Sequence, residues 1–433
     1  MYYTLIQNRS RNALNKAPRL LNLILTPLIL TPLVLAPLVL TLLISSLLSG
    51  CATNAQPTDD DFSDSRIVGS LELKYARQFR VDYLADGCSL ISIQESGRFL
   101  LVPEGQESPQ DVDKDITILR QPISNVYLAA TSAMCLFDAL DALDRISMSG
   151  TKADGWYIEN ARSAMNQGDI IYAGKYSAPD YELLLTKSCD LAVESTMISQ
   201  KPEVKEKLES IGIPVMMERS SYETHPLGRT EWIKLYGLIC GKEDLASRLF
   251  DEQVAYLDSI PAESAGKTVA FFYISSTGYA VARKSGDYVV KMIELAGGKY
   301  VFDYSDGVNN AGGADNAGGA DNMGDADNAG AVGGAVTGTM SLEMERFYTE
   351  AKNADVIIYN SSIDGEVHAI DELIAKSRLL TDFKAVKNGD VWCTSKNLFQ
   401  ETTDTGLMIS EMNRIFTGDL GDEEQLRFYY KLR

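Results

Sequence analysis

The residues of this 433-residue chain that could do chemistry are unevenly supplied. His225 and His368 are its two histidines, so a dedicated transition-metal site built on several imidazoles is not expected. Cys51, Cys88, Cys135, Cys189, Cys240 and Cys393 show neither a Cys-x-x-Cys pair nor regular spacing. They are not a disulfide scaffold, although one bridge remains open. Cys135 and Cys240 lie in apolar stretches and read as small core residues. There is no Gly-x-Ser-x-Gly elbow, no His-Glu-x-x-His, no Walker loop and no Gly-x-Gly-x-x-Gly after a strand. General acid–base chemistry would fall to carboxylates such as Glu182 and Glu345. A retaining glycosidase needs such a pair about 5–5.5 Å apart.

The amino-terminal residues say where the protein works. Arg9, Arg11, Lys16 and Arg19 precede an apolar run from Leu20 to Leu48, and Leu48-Ser49-Gly50-Cys51 closes it. Charge, apolar run and small residues in that order form a secretory signal layout. The tetrapeptide resembles the lipobox of bacterial lipoproteins, which implies cleavage before Cys51 and a diacylglyceryl group on its sulfur. A lipid anchor of two acyl chains holds stably to a membrane. An uncleaved transmembrane helix fits less well, because Pro27, Pro32 and Pro37 interrupt the run. Residues 1–50 are thus expected as signal peptide and 51–65 as a flexible acidic tether. The formal net charge of −20 becomes more negative once the basic leader is removed, which disfavours nucleic acid as a partner.

Beyond the tether, short extended runs at 79–84, 89–93 and 99–102 suggest an opening meander. Apolar strands then alternate with helical stretches from Val126 to Met217, and again from Thr268 to Cys393. That alternation predicts α/β architecture with parallel sheets. Between the two blocks, residues 229–259 lack proline and carry helix-spaced apolar positions, with a break expected near Gly241. The resulting divisions are an N-terminal lobe at 66–226, a connecting helix at 227–262 and a C-terminal lobe at 263–433. Residues 305–340 contain no aromatic, Lys or Arg and repeat Asn-Ala-Gly-Gly-Ala-Asp. They are expected to be a disordered insertion, since they cannot bury enough apolar surface to offset ordering entropy. Their spacing does not match a calcium-binding nonapeptide repeat.

Two features place this pattern in a family. Glu182 stands in Pro179-Asp180-Tyr181-Glu182-Leu183-Leu184-Leu185, with Asp190 opening the strand Leu191-Ala192-Val193. Glu345-Arg346-Phe347-Tyr348 followed by Ala354-Asp355-Val356-Ile357-Ile358 repeats the theme with a longer interval. Together with His225-Pro226-Leu227-Gly228-Arg229 before the connector and the Tyr288–Phe302 segment, this resembles the substrate-binding lipoproteins of ABC importers. The resemblance is to the helical-hinge class, periplasmic binding protein type III, which captures ferric siderophores, haem and cobalamin. It covers about residues 66 to 433 without the repeat.

The resemblance implies two Rossmann-like lobes joined by a single long helix, with a ligand cleft between the lobes. It implies a monomer, not an enzyme, delivering a small-molecule metal chelate to an ABC permease dimer with its ATPase subunits. No resident cofactor or metal is expected, and the location would be extracytoplasmic, at the outer face of the membrane or in a periplasm. Cationic and aromatic groups suit an anionic chelate. At expected strand-to-helix turns these are Trp156, Lys175, Tyr176, Arg229, Arg283 and Lys396. Glu182 and Glu345 would be permease docking points, with Glu343 an alternative for the second. A haem cargo would make His225 a candidate iron ligand. The rival from another class is a lipid-anchored, carboxylate-dependent hydrolase, which two glutamates on different lobes could not form.

Overall fold

The computed structural model describes residues 66–263, 265–302, 338–420 and 426–433. The signal peptide, Cys51, the tether and nearly all of the repeat lie outside the described residues. Residues 61–433 form one compact unit. Its described residues hold three sheets.

The first sheet runs β1 (Ile67–Ser70), β2 (Phe79–Leu84), β3 (Ser89–Ile93), β4 (Gly97–Val102) and β5 (Ile116–Arg120) in order. It is antiparallel except for the β4–β5 pair. Alternate residues face two cores, Phe99 and Leu101 on one side, Leu100 and Val102 on the other, as the period of two requires. The expected meander is the centre of this sheet.

The second sheet contains β6 (Val126–Leu128), β7 (Ile146–Ser149), β8 (Ile171–Tyr172), β9 (Leu191–Ser195) and β10 (Val215–Glu218), in the order β10-β9-β6-β7-β8. It is wholly parallel. Helices α1 (Met134–Ala139), α2 (Glu159–Gln167), α3 (Tyr181–Thr186) and α4 (Pro202–Ser210) connect its strands. One face packs with the first sheet, and Leu184, Val204 and Leu208 cover the other.

The connector is segmented into α5 (Pro226–Glu231), α6 (Ile233–Cys240) and α7 (Glu243–Asp258). His225 Nδ1 caps α5 by accepting the Leu227 N–H at 3.2 Å. Gly241 ends α6 in the left-handed region at φ +68°, the break the sequence suggested. The 16-residue α7 is the long helix leading to the second lobe.

The third sheet holds β11 (Thr268–Ile274), β12 (Ala280–Arg283), β13 (Lys299–Tyr300), β14 (Thr339–Leu342), β15 (Val356–Tyr359), β16 (Val391–Thr394) and β17 (Tyr429–Lys431). Its centre, β11-β15-β16, is parallel, but β12, β14 and β17 run antiparallel to their neighbours. The third sheet is therefore mixed rather than purely parallel. Helices α8 (Tyr288–Leu295), α9 (Met344–Ala351) and α10 (Thr405–Thr417) are among those that flank it. Thr339 and Met340, assigned to the insertion by composition, belong to β14 and pair with Arg283 and Ala282. β14 is an edge strand whose alternate residues Met340 and Leu342 are buried in the core of the second lobe.

Buried carboxylates tie these parts together. Glu231, with no exposed surface, accepts the backbone N–H groups of Lys74, Tyr75 and Ala76 at 2.7–2.8 Å. Glu223 accepts those of Arg77 and Gln78 and the Trp232 indole N–H. Five consecutive amides between β1 and β2 are thus held by the connector and by the turn just before it. Cys88, Cys135, Cys189, Cys240 and Cys393 are all free thiols.

The lobes also share a tight helix crossing. A Cβ built on Gly406 at the start of α10 would overlap the backbone oxygen of Gln253 on α7. Gln253 Oε1 accepts the Leu407 N–H at 3.2 Å beside it. Gly406→Val should therefore force the helices apart and lower unfolding free energy by about 1–3 kcal/mol. Urea denaturation checks this, and wild-type stability in the variant would contradict it.

Candidate ligand cleft and docking faces

The carboxyl ends of the parallel strands in the two lobes meet each other. The segment after β16 reaches the segments after β6 and β7. Thr402 Oγ1 lies 3.5 Å from Cys135 Sγ of α1, and the Thr402 carbonyl accepts the Thr230 hydroxyl of α5 at 2.7 Å. Gln400 Oε1 accepts the Tyr157 N–H at 2.8 Å, and Gln400 Nε2 donates to the Gly155 carbonyl at 2.9 Å. Ligands of open α/β sheets bind at this edge.

The expected ligand residues fall into three groups. Lys175 and Tyr176 lie in the turn after β8, Lys175 exposed and Tyr176 half-buried. Lys396 is half-exposed after β16 and pairs with Glu366 at 2.9 Å, a hydrogen bond that raises its pKa. Arg229 and Arg283 are buried and already engaged. The Arg229 guanidinium lies 3.5 Å from the Tyr288 ring centroid, a cation–π contact between α5 and α8, and donates to the Ser221 carbonyl at 2.7 Å. Arg283 stands 3.7 Å from Asp287 and 4.9 Å from the Phe399 ring. Trp156 departs most from expectation, with no exposed surface and its indole packed in the core of the first lobe. Burying so large an apolar area outweighs presenting it at an open wall.

Phe399, Gln400 and Thr402 were not marked by the sequence, yet their segment joins Arg283, Lys396 and the residues around Trp156. His225 is occupied as a cap and stacks on Tyr75 at 4.1 Å; burial lowers its pKa to about 4 and keeps it neutral. Among the described residues no cluster of three or more His, Cys, Asp or Glu could hold a metal.

Glu182 and Glu345 occupy matching places. Each is exposed in the first turn of a helix, α3 or α9. Each has its carbonyl accepting a threonine hydroxyl four residues on, Thr186 at 2.7 Å and Thr349 at 2.9 Å. The aspartates that follow also correspond. Asp190 Oδ2 accepts the Ser124 and Asn125 N–H groups ahead of β6. Asp355 Oδ2 accepts the Thr268 N–H and hydroxyl at the start of β11. The bond from Lys384 and those from Thr268 lower the Asp355 pKa to about 2. Glu343, the alternative to Glu345, is the residue before α9, the place that Asp180 holds before α3.

No protein-family model matches the chain. Two uncharacterised lipoproteins of Methanocaldococcus jannaschii are each 23% identical, one over 76% of this chain and 77% of its own length, the other over 84% and 88%. A periplasmic binding protein from Veillonella parvula superposes with TM-score 0.50 at 14% identity, covering 68% of this chain and 91% of that one. The fold is that of a periplasmic binding protein. A periplasmic haem-binding protein of Vibrio cholerae aligns at TM-score 0.49 and 16% identity, over 66% of this chain and 97% of its own. In the periplasmic binding protein fold of this chain, α7 is the link and the opposed strand ends are the candidate cleft.

One group in the first lobe is electrostatically costly. Glu194, near the end of β9, has no exposed surface and neither oxygen has a hydrogen-bond partner among the described residues. Burial raises its pKa to about 8. The unfolded chain ionises near pH 4.5 while the folded chain keeps the proton, so stability falls as pH rises from about 4.5 to 8. Glu194→Gln should remove that part of the slope. Thermal unfolding of both proteins across this range checks it; identical slopes would mean that Glu194 is solvated.

Proposed function

We propose that the protein is an extracytoplasmic solute-binding lipoprotein that captures a metal chelate, a ferric siderophore first, and delivers it to an ABC permease. The observation that carries the reading is the pair of opposed strand edges, with the 16-residue α7 of the segmented connector running between the lobes. Such a frame limits lobe movement and pre-forms the cleft, which lowers the ordering cost of binding. Lipidation at Cys51 would keep it at the membrane, in line with the lipoprotein names of its relatives.

Within the cleft, Lys175 and Lys396 would meet the anionic groups of the chelate and Tyr176 would supply an aromatic wall. Arg229 and Arg283 would add positive charge from behind, since their planar faces are taken by Tyr288 and Phe399. The hydrolase alternative is disfavoured, because Glu182 and Glu345 begin helices of different lobes. Their matched settings instead support docking to the two halves of a permease.

Absorbance of protein purified from iron-replete cells tests the cargo. A charge-transfer band is expected for a ferric siderophore. A Soret band or a corrin spectrum would move the reading to haem or cobalamin, and ligand consumed on incubation would refute a binding role. Replacing both Lys175 and Lys396 by Ala should weaken an anionic chelate ten-fold or more, as loss of charge-assisted bonds of about 1.5–3 kcal/mol each requires.

Docking has a separate signature, because rim charges set encounter and register. Glu182→Arg with Glu345→Arg should leave cargo affinity within two-fold and abolish uptake and permease-stimulated ATP hydrolysis. Normal uptake by the double variant would refute the assignment.

A further inference from the structure

We propose that Gln400 is the releasable latch between the lobes, closing one side of the cleft by standing in for a strand residue. The inference rests on the binding-protein reading only for its role in cargo retention. Its primary amide offers an acceptor to the Tyr157 N–H and a donor to the Gly155 carbonyl, at 2.8 and 2.9 Å. A neighbouring β-strand residue presents that same donor–acceptor pair to residues i and i+2. Here one side chain does it across two lobes.

Both halves of the latch are stiff. On the first lobe, Trp156 between the two bonded residues is wholly buried. A Cβ on Gly155 would stand 2.7 Å from Thr151 Cγ2, so the turn is closely packed. On the second lobe, the Gln400 N–H donates to the Asn397 carbonyl at 2.8 Å, and Asn397 Nδ2 donates to Glu401 Oε1 at 2.7 Å. Glu401 in turn pairs with Arg427. A stiff latch either registers or comes apart.

Other cross-lobe contacts differ in kind. Arg229 on Tyr288, Gly406 against Gln253, the Thr230–Thr402 bond and the Cys135–Thr402 contact involve buried groups on the connector or on elements packed against it. Gln400 is half-buried, and water can replace both of its bonds. It is therefore the contact that opens while the others remain as the pivot. Lys396, four residues earlier in the same segment, would move with it.

Amide hydrogen exchange in the ligand-free mature protein tests the latch without reference to cargo. Gln400→Ala should speed exchange at Tyr157 at least ten-fold while the amides of residues 227–240 keep their protection. Gln400→Glu keeps the acceptor for Tyr157 and loses the donor for Gly155, so it should fall between. Unchanged exchange at Tyr157 in the Ala variant would overturn the proposal. Equal loosening of residues 227–240 would also overturn it, by making Gln400 part of the pivot. With haemin and a ferric hydroxamate as probes, release from Gln400→Ala should quicken about ten-fold with little change in capture. An unchanged release rate, for a probe that the wild type binds, would remove the retention role. If neither probe binds the wild type, the cargo reading fails and the exchange result still judges the latch.

Discussion

The structure depends on carboxylates that accept backbone N–H groups where no strand or helix can. The stretch between β1 and β2 has five consecutive amides, and Glu231 and Glu223 take them all. An unpaired buried amide costs about 1–3 kcal/mol, so this stretch could not lie against the connector without them. The same device recurs with Asp190 ahead of β6, Asp355 at β11 and Glu411 at the amides of Arg427 and Phe428. Each carboxylate fastens the entry of a strand to an element distant in sequence. A share of the strong negative charge is thus internal scaffolding rather than surface solubility.

This use of acidic groups also explains why they are poor candidates for acid–base chemistry. A buried carboxylate already engaged by two or three N–H donors is not presented to a substrate proton. Glu194 is the exception, buried without a hydrogen-bond partner among the described residues, and burial leaves it protonated rather than reactive at neutral pH. Binding, by contrast, needs only the rim.

Much of the fold was legible because the strand–helix alternation and the helix-spaced connector are periodic signals. The Glu–Asp theme was legible as well, and the structure gives its physical content: the aspartate pins a neighbouring strand and the glutamate begins the helix before it. The site was less legible. Arg229, Arg283 and Trp156 were chosen by residue type, and type does not reveal that a guanidinium already faces Tyr288 or Phe399, or that an indole lies inside. Thr339 and Met340 were lost to compositional bias, since a strand edge of four residues cannot outweigh the repeat beside it. Gln400 sits in an aperiodic turn and carries no charge, so its importance arises only from the residues that the fold brings opposite.

The five described thiols have a consequence for where such a chain can work. None is bridged, and burial pushes each up, Cys88, Cys135 and Cys189 to about 11 and Cys240 and Cys393 to about 12. Thiolate is the species that oxidants and exchange partners attack, and at neutral pH these sulfurs supply almost none. The described fold therefore has no redox set-point. A reducing medium breaks no cross-link among its described residues.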